Sequence, residues 1–146
     1  MAPAASIARR FSLVSSWYLR RYGAKLLYEQ ELHSGEDPAS RYTGMLGSAL
    51  KVGIAPERYL EDVDGAYYAA QYLRAWIFEV QMRDYLEREY GPAWSAKPAA
   101  GRFLMDLWRQ GQRDNVVELA RQMGYEGLDL GSLTEELSNF FQKPVV

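Results

Sequence analysis

The residues of this chain that could do chemistry concentrate in one apolar stretch, residues 65–80, which reads GAYYAAQYLRAWIFEV. Three polar side chains interrupt it, those of Gln71, Arg74 and Glu79. A plain core helix would not need them, because charged side chains are rarely buried without a partner. The stretch is therefore either a core helix whose polar groups pair with other helices, or a helix that faces a substrate.

One face of such a helix would carry two tyrosines and a carboxylate, since residues three and four apart stack on the same side. The residues that share this face are Tyr68, Tyr72, Ala75, Glu79, Met82 and Leu86. On another side Arg74, Gln81 and Arg88 repeat every seven residues. We expect this second line to mark a solvent edge or a salt-bridged seam.

Other kinds of active site find little support in the sequence. The chain has no cysteine, which excludes disulfides, thiolate zinc sites and cysteine nucleophiles within it. Its single histidine, His33, lies four residues after Glu29, and one imidazole with one carboxylate makes a weak metal site. A catalytic zinc needs three protein ligands, and no H-E-x-x-H motif is present. We therefore assign no catalytic residue and no metal ligand.

Two alternating carboxylates, Asp62 and Asp64, precede the tyrosines. They lack the further ligands of a calcium loop. Together with Glu61, we expect them to stabilise the positive end of the following helix dipole.

Helical periodicity runs through most of the chain, and no segment shows the alternation of a half-buried strand. We expect an all-α fold in which residues 1–146 form a single domain of six or seven helices around one long helix. The predicted helices span residues 6–33, 38–52, 64–90, 97–111, 115–123 and 133–141, with a helical turn at 56–60. Asp114 is expected to cap the fifth of these helices, and Ser132 with Glu135 to form a capping box for the last.

The charge pattern argues against two classes of partner. The net charge of −2 is too small to favour nucleic acid or an anionic membrane. Residues 1–33 nevertheless carry five basic and two acidic side chains, which indicates elements that attract each other or solvated faces. No apolar run reaches about 18 residues, so no membrane span is predicted and a cytoplasmic location is expected.

The pattern from Tyr68 to Val80 resembles the late helix of the thimet oligopeptidase and oligoendopeptidase family of zinc metallopeptidases, which reads roughly H-x-x-G-G-Y-x-A-x-Y-Y-x-Y-L-W-x-E-V. Residues 107–133, LWRQGQRDNVVELARQMGYEGLDLGSL, are similar to the closing segment of that family. The likeness covers residues 59–137 by motif.

The resemblance implies roles for particular residues. Tyr68 and Tyr72 match family tyrosines that line the active-site channel and contact the peptide. The family's most catalytic tyrosine falls on Ala75, and the histidine ahead of its glycines falls on Val63. Tyr67 or Arg74 would have to replace these groups, an arginine being a competent donor to an oxyanion.

The resemblance thus predicts the helical, substrate-channel portion of a zinc metallopeptidase that is not catalytic by itself. Zinc is expected only in a full-length relative, and the partner is a peptide substrate or a zinc-bearing catalytic segment. The alternative is a helical protein–protein interaction module or homodimer without enzymatic activity.

Overall fold

The computed structural model describes residues 3–32 and 37–142. Across these residues the structure is all-α, with six α-helices and no strand, as predicted. The helices are α1 (Pro3–Glu31), α2 (Pro38–Leu50), α3 (Tyr68–Tyr90), α4 (Pro98–Arg109), α5 (Val116–Gln122) and α6 (Leu130–Gln142). Three short 3-10 turns lie at Pro56–Arg58, Gly65–Tyr67 and Trp94–Ala96. None of the described helices is both long and apolar enough to cross a membrane.

The chain divides into two compact units, and the boundary falls within α3. The first unit comprises Met1–Leu73 and Asn139–Val146, and the second comprises Arg74–Ser138. The single domain expected from the sequence stays a prediction.

The core of the first unit forms where α1 packs on α2. Its buried residues are Ala24, Tyr28, Tyr42 and Leu46, and the rings of Tyr28 and Tyr42 meet edge to face with centroids 5.2 Å apart. Helix α2 begins as the sequence predicts, because Pro38 occupies its first turn and the Asp37 side chain accepts a hydrogen bond from the Ala39 N–H.

The core of the second unit joins α3 to the two helices that follow. Phe78, Ala120 and Met123 are its buried residues, and Phe103 of α4 stacks on Tyr85 of α3 at 5.1 Å between ring centroids. Burying such rings and methionines supplies the main driving force for these short helices, which would be marginal in isolation.

Two predicted helix caps are wrong. The N-cap of α5 is Asn115 and not Asp114, and the Asn115 side chain forms a capping box with Glu118. Helix α6 begins at Leu130, so Ser132 lies inside it. The Asp129 carboxylate accepts hydrogen bonds from the Gly131 N–H and the Ser132 hydroxyl at this helix start.

Helix α3 also begins later than predicted, at Tyr68 instead of residue 64. The preceding 3-10 turn contains two non-glycine residues with positive φ, Ala66 at 55° and Tyr67 at 53°. A left-handed backbone cannot continue into a right-handed helix, so the regular helix starts only after Tyr67. Its end agrees with the prediction, because Gly91 adopts a φ of 84° just past Tyr90.

Candidate functional site

A row of aromatic rings joins α1 to the start of α3 in the first unit. Tyr22 of α1 contacts Tyr72 of α3 with ring centroids 4.9 Å apart, and Tyr72 meets Tyr68 edge to face at 5.2 Å. On α1 the row continues from Tyr22 to Tyr18 at 6.3 Å and from Tyr18 to Trp17 at 5.2 Å. We call these five residues the aromatic row.

The aromatic row is open to solvent along most of its length. Tyr68 is 53% exposed, Tyr72 40%, and Trp17 and Tyr18 42% each. Tyr67, in the turn just before α3, is 49% exposed. The interpretation of Tyr68 and Tyr72 as core residues is therefore wrong.

The contribution of α1 to this surface was missed in the sequence analysis, which placed no binding residue on this helix. Leu13 and Val14, one turn before Trp17 and Tyr18, are also about half exposed. The available signal was the width of the apolar pattern, because adjacent pairs at 13–14 and 17–18 cover more of the helix than one core-facing stripe requires.

The phenol of Tyr72 is held in its neutral form. Electrostatic interaction with Tyr68, and then with Tyr22, raises the pKa of Tyr72 above its usual value of 10.0. A tyrosine in this form combines an apolar ring with a hydroxyl that can donate a hydrogen bond.

The polar side chains that interrupt the apolar stretch have three different environments. Gln71 is exposed. Glu79 is exposed and pairs with Arg83 one turn along the same helix, and Arg83 also binds Glu136 of α6. Arg74, in the second unit, is half-buried, and its Nε is buried without a hydrogen-bond partner among the described residues. The expected partner for Arg74 on another helix is thus not found in the described chain.

Arg74, Gln81 and Arg88, which repeat every seven residues, do not form a solvent-exposed edge throughout. Gln81 is fully buried. Its amide NH2 donates to the Gly127 carbonyl at 2.9 Å, and its Oε1 accepts from the Asp129 N–H at 3.2 Å. Arg88 is exposed, lies over the Tyr85 and Tyr125 rings, and donates to the Met123 carbonyl. Both residues tie α3 to the segment after α5.

The carboxylates ahead of α3 face α1 and do not serve mainly as helix-dipole charges. Lys25, which is 4% exposed, places its Nζ 2.6 Å from Asp64 Oδ2 and 3.6 Å from Asp62 Oδ1. Arg21 also pairs with Asp62. The Glu29 carboxylate accepts a hydrogen bond from the Asp64 N–H at 2.9 Å. Two of the five basic residues in 1–33, Arg21 and Lys25, thus pair with acidic residues of the segment before α3.

The described residues do not fit the zinc site of a metallopeptidase. Within residues 3–32 and 37–142, no group of three His, Asp or Glu side chains could hold a metal ion. The acidic cluster of Glu29, Asp62 and Asp64 already surrounds the Lys25 ammonium group. His33, the weak candidate ligand, lies outside the described residues.

Comparisons with protein-family models, with curated proteins and with solved structures find no match to this chain.

Proposed function

We propose that this chain is the helical, substrate-channel part of an oligopeptidase-like zinc metallopeptidase and is not catalytic on its own. The observation that carries this function is the exposure of Tyr68 and Tyr72, the two tyrosines that match the family pattern. A tyrosine on the wall of a peptide channel must be reachable by peptide, and both rings are 40% exposed or more in the isolated chain.

The size of the exposed surface supports a binding role. Leu13, Val14, Trp17, Tyr18, Tyr68 and Tyr72 are 40–53% exposed. Together they present on the order of 500 Å² of mainly apolar area, which is comparable with the largest patch on a typical monomer and is often functional at that size. We infer that a peptide, or the zinc-bearing segment that completes the channel, covers this surface in the cytoplasm.

Arg74 and Tyr67 are the residues that we propose as replacements for the missing family tyrosine and histidine. Arg74 is half-buried in the second turn of α3, six residues after Tyr68. Tyr67 is 49% exposed, so its hydroxyl is accessible to a peptide.

The isolated chain is expected to lack peptidase activity and to bind no zinc, because residues 3–32 and 37–142 offer no three-ligand site. Metal analysis of the purified chain, combined with a fluorogenic-peptide assay, tests this expectation. Stoichiometric zinc together with chelator-sensitive cleavage would contradict it.

A second candidate function, a helical interaction module or homodimer, is favoured by the exposed apolar residues of α1, which lie outside the segment that resembles the peptidases. Leu13 and Val14 belong to this part of the surface. Sedimentation at micromolar concentration separates the two functions. A monomer agrees with the channel-wall function, whereas a dimer that Trp17→Ala dissociates and Leu27→Ala leaves intact would favour the module. Leu27 is a suitable control for Trp17 because it is also an exposed apolar residue of α1.

A further inference from the structure

The turn that leads into α3 has a backbone conformation that its sequence does not favour. Ala66 adopts φ 55° and ψ 35°, and Tyr67 follows with φ 53°. Two consecutive left-handed residues with Cβ atoms are strained, and such strain persists only where the surrounding structure holds it in place.

Contacts with α1 fix the chain immediately before this turn. The Asp64 N–H donates to Glu29 Oε1 at 2.9 Å, and the Asp64 carboxylate lies 2.6 Å from Lys25 Nζ. Lys25 and Glu29 are each only 4% exposed, whereas the Asp64 side chain is 38% exposed, so the contacts are shielded from water mainly on the α1 side. Both the backbone and the side chain of Asp64 are therefore anchored to one helix.

Further contacts restrict the chain on either side of the anchored residue. Two residues earlier, Asp62 pairs with Arg21 and accepts a hydrogen bond from the Tyr42 hydroxyl at 3.2 Å. On the other side of the turn, Ala69 in the first turn of α3 is fully buried. The three residues of the turn must span the gap between these fixed points, which explains how a left-handed conformation can be maintained.

We propose that Lys25 and Glu29 are positioning residues, which hold the Gly65–Tyr67 turn in its left-handed conformation through Asp64 and thereby set how Tyr67 and Tyr68 are presented to solvent. That these tyrosines meet a peptide rests on the proposed function. The conformational role of the two residues does not.

A double-mutant cycle tests the link between Asp64 and the turn. Glycine adopts positive φ without strain, so Ala66→Gly should raise the folding equilibrium constant about threefold in the wild-type chain. In an Asp64→Ala background the Lys25 contact is lost while the backbone N–H still donates to Glu29, so the turn is partly released and the gain should fall below about 1.5-fold as the two changes become non-additive. Equal gains in both backgrounds would overturn the positioning role of Lys25, which acts through the Asp64 carboxylate. The Asp64 side chain is 38% exposed, so its loss is compatible with folding.

Two controls accompany the cycle. Ala75→Gly, at an exposed position of the regular helix, should lower the folding equilibrium constant about threefold in both backgrounds. Asp64→Asn keeps the size of the side chain and removes its charge, and it should reduce the gain from Ala66→Gly in the same direction as Asp64→Ala.

An NMR signal from Tyr67 tests whether Asp64 determines the environment of this ring. A contact that only stabilised the fold would not have this effect. In a chain labelled with 3-fluorotyrosine, the fluorine resonance lost in Tyr67→Phe identifies this ring. Asp64→Ala should shift or split that resonance, whereas Glu61→Gln, which breaks only an exposed ion pair with Arg58, should not. An unchanged Tyr67 resonance in Asp64→Ala would overturn the proposal. Neither measurement uses a peptide, so failure here and failure of the proposed function are separate results.

Discussion

Gln81 joins residues 125–129 to α3 through its side chain and its own carbonyl. The side-chain amide of Gln81 donates to the Gly127 carbonyl and accepts from the Asp129 N–H. The backbone carbonyl of Gln81 accepts from the Tyr125 hydroxyl at 2.9 Å. The periodicity of Arg74, Gln81 and Arg88 could not reveal this role, because the partner of the amide lies 46 residues away in sequence. In the sequence, a buried glutamine cannot be distinguished from an exposed one, because the backbone groups that bind its amide lie far away along the chain.

Replacing Gln81 by leucine should be strongly destabilising. Gln81→Leu leaves the Gly127 carbonyl and the Asp129 N–H without their partner, which should lower the free energy of unfolding by about 2–3 kcal/mol. Urea unfolding measures the change. Gln71→Leu, at an exposed amide of the same helix, is the matched control and should stay within about 0.5 kcal/mol of wild type. Similar losses in both variants would contradict the assigned role of Gln81.

Tyr42 makes stability depend on pH in the alkaline range. Burial, and then the charge of Asp62, raise the pKa of Tyr42 above 10.0. The folded state thus keeps a proton that the unfolded state loses, so this stabilisation is complete below about pH 10 and declines as pH rises through the folded pKa. Tyr42→Phe should give a shallower fall of unfolding free energy above pH 10 in urea titrations. A slope equal to that of wild type would show that Tyr42 is not the group responsible.

At the scale of helices, many boundaries follow from local chemistry and some do not. Pro38 and Pro98 open α2 and α4 as predicted, and Gly91 and Gly124 adopt positive φ just beyond α3 and α5. These residues act through their own backbone preferences. The start of α3 was mispredicted because it depends on contacts between Asp64 and α1, more than thirty residues away in sequence.

The start of α5 offers a direct comparison of two neighbouring polar residues. The Asn115 side chain accepts hydrogen bonds from the N–H groups of Val117 and Glu118. Asn115→Ala should therefore lower the free energy of unfolding by about 1 kcal/mol. Asp114→Ala, the control at the cap expected from sequence, should cost less than half as much. Chemical denaturation of both variants measures the difference, and the reverse order would restore Asp114 as the cap.

At the scale of the whole chain, composition and periodicity were sufficient to predict an all-α protein. The candidate site was only partly predictable. The family pattern pointed to Tyr68 and Tyr72, but their ring contacts with Tyr22 of α1 depend on tertiary packing. Exposure of the aromatic row is likewise a property of the folded first unit.

The proposed function requires the aromatic row to bind peptide. A two-dimensional NMR titration of the labelled chain with a short peptide rich in aromatic and apolar residues tests it most directly, since NMR detects weak binding. With only one wall present, we expect a dissociation constant of about 1 mM, or about −4 kcal/mol. Shift changes should cluster at residues 17–22 and 67–72, disappear in the Tyr68→Ala/Tyr72→Ala variant, and persist in Leu27→Ala. Shift changes confined to other residues, or unaffected by loss of both tyrosines, would contradict the claim.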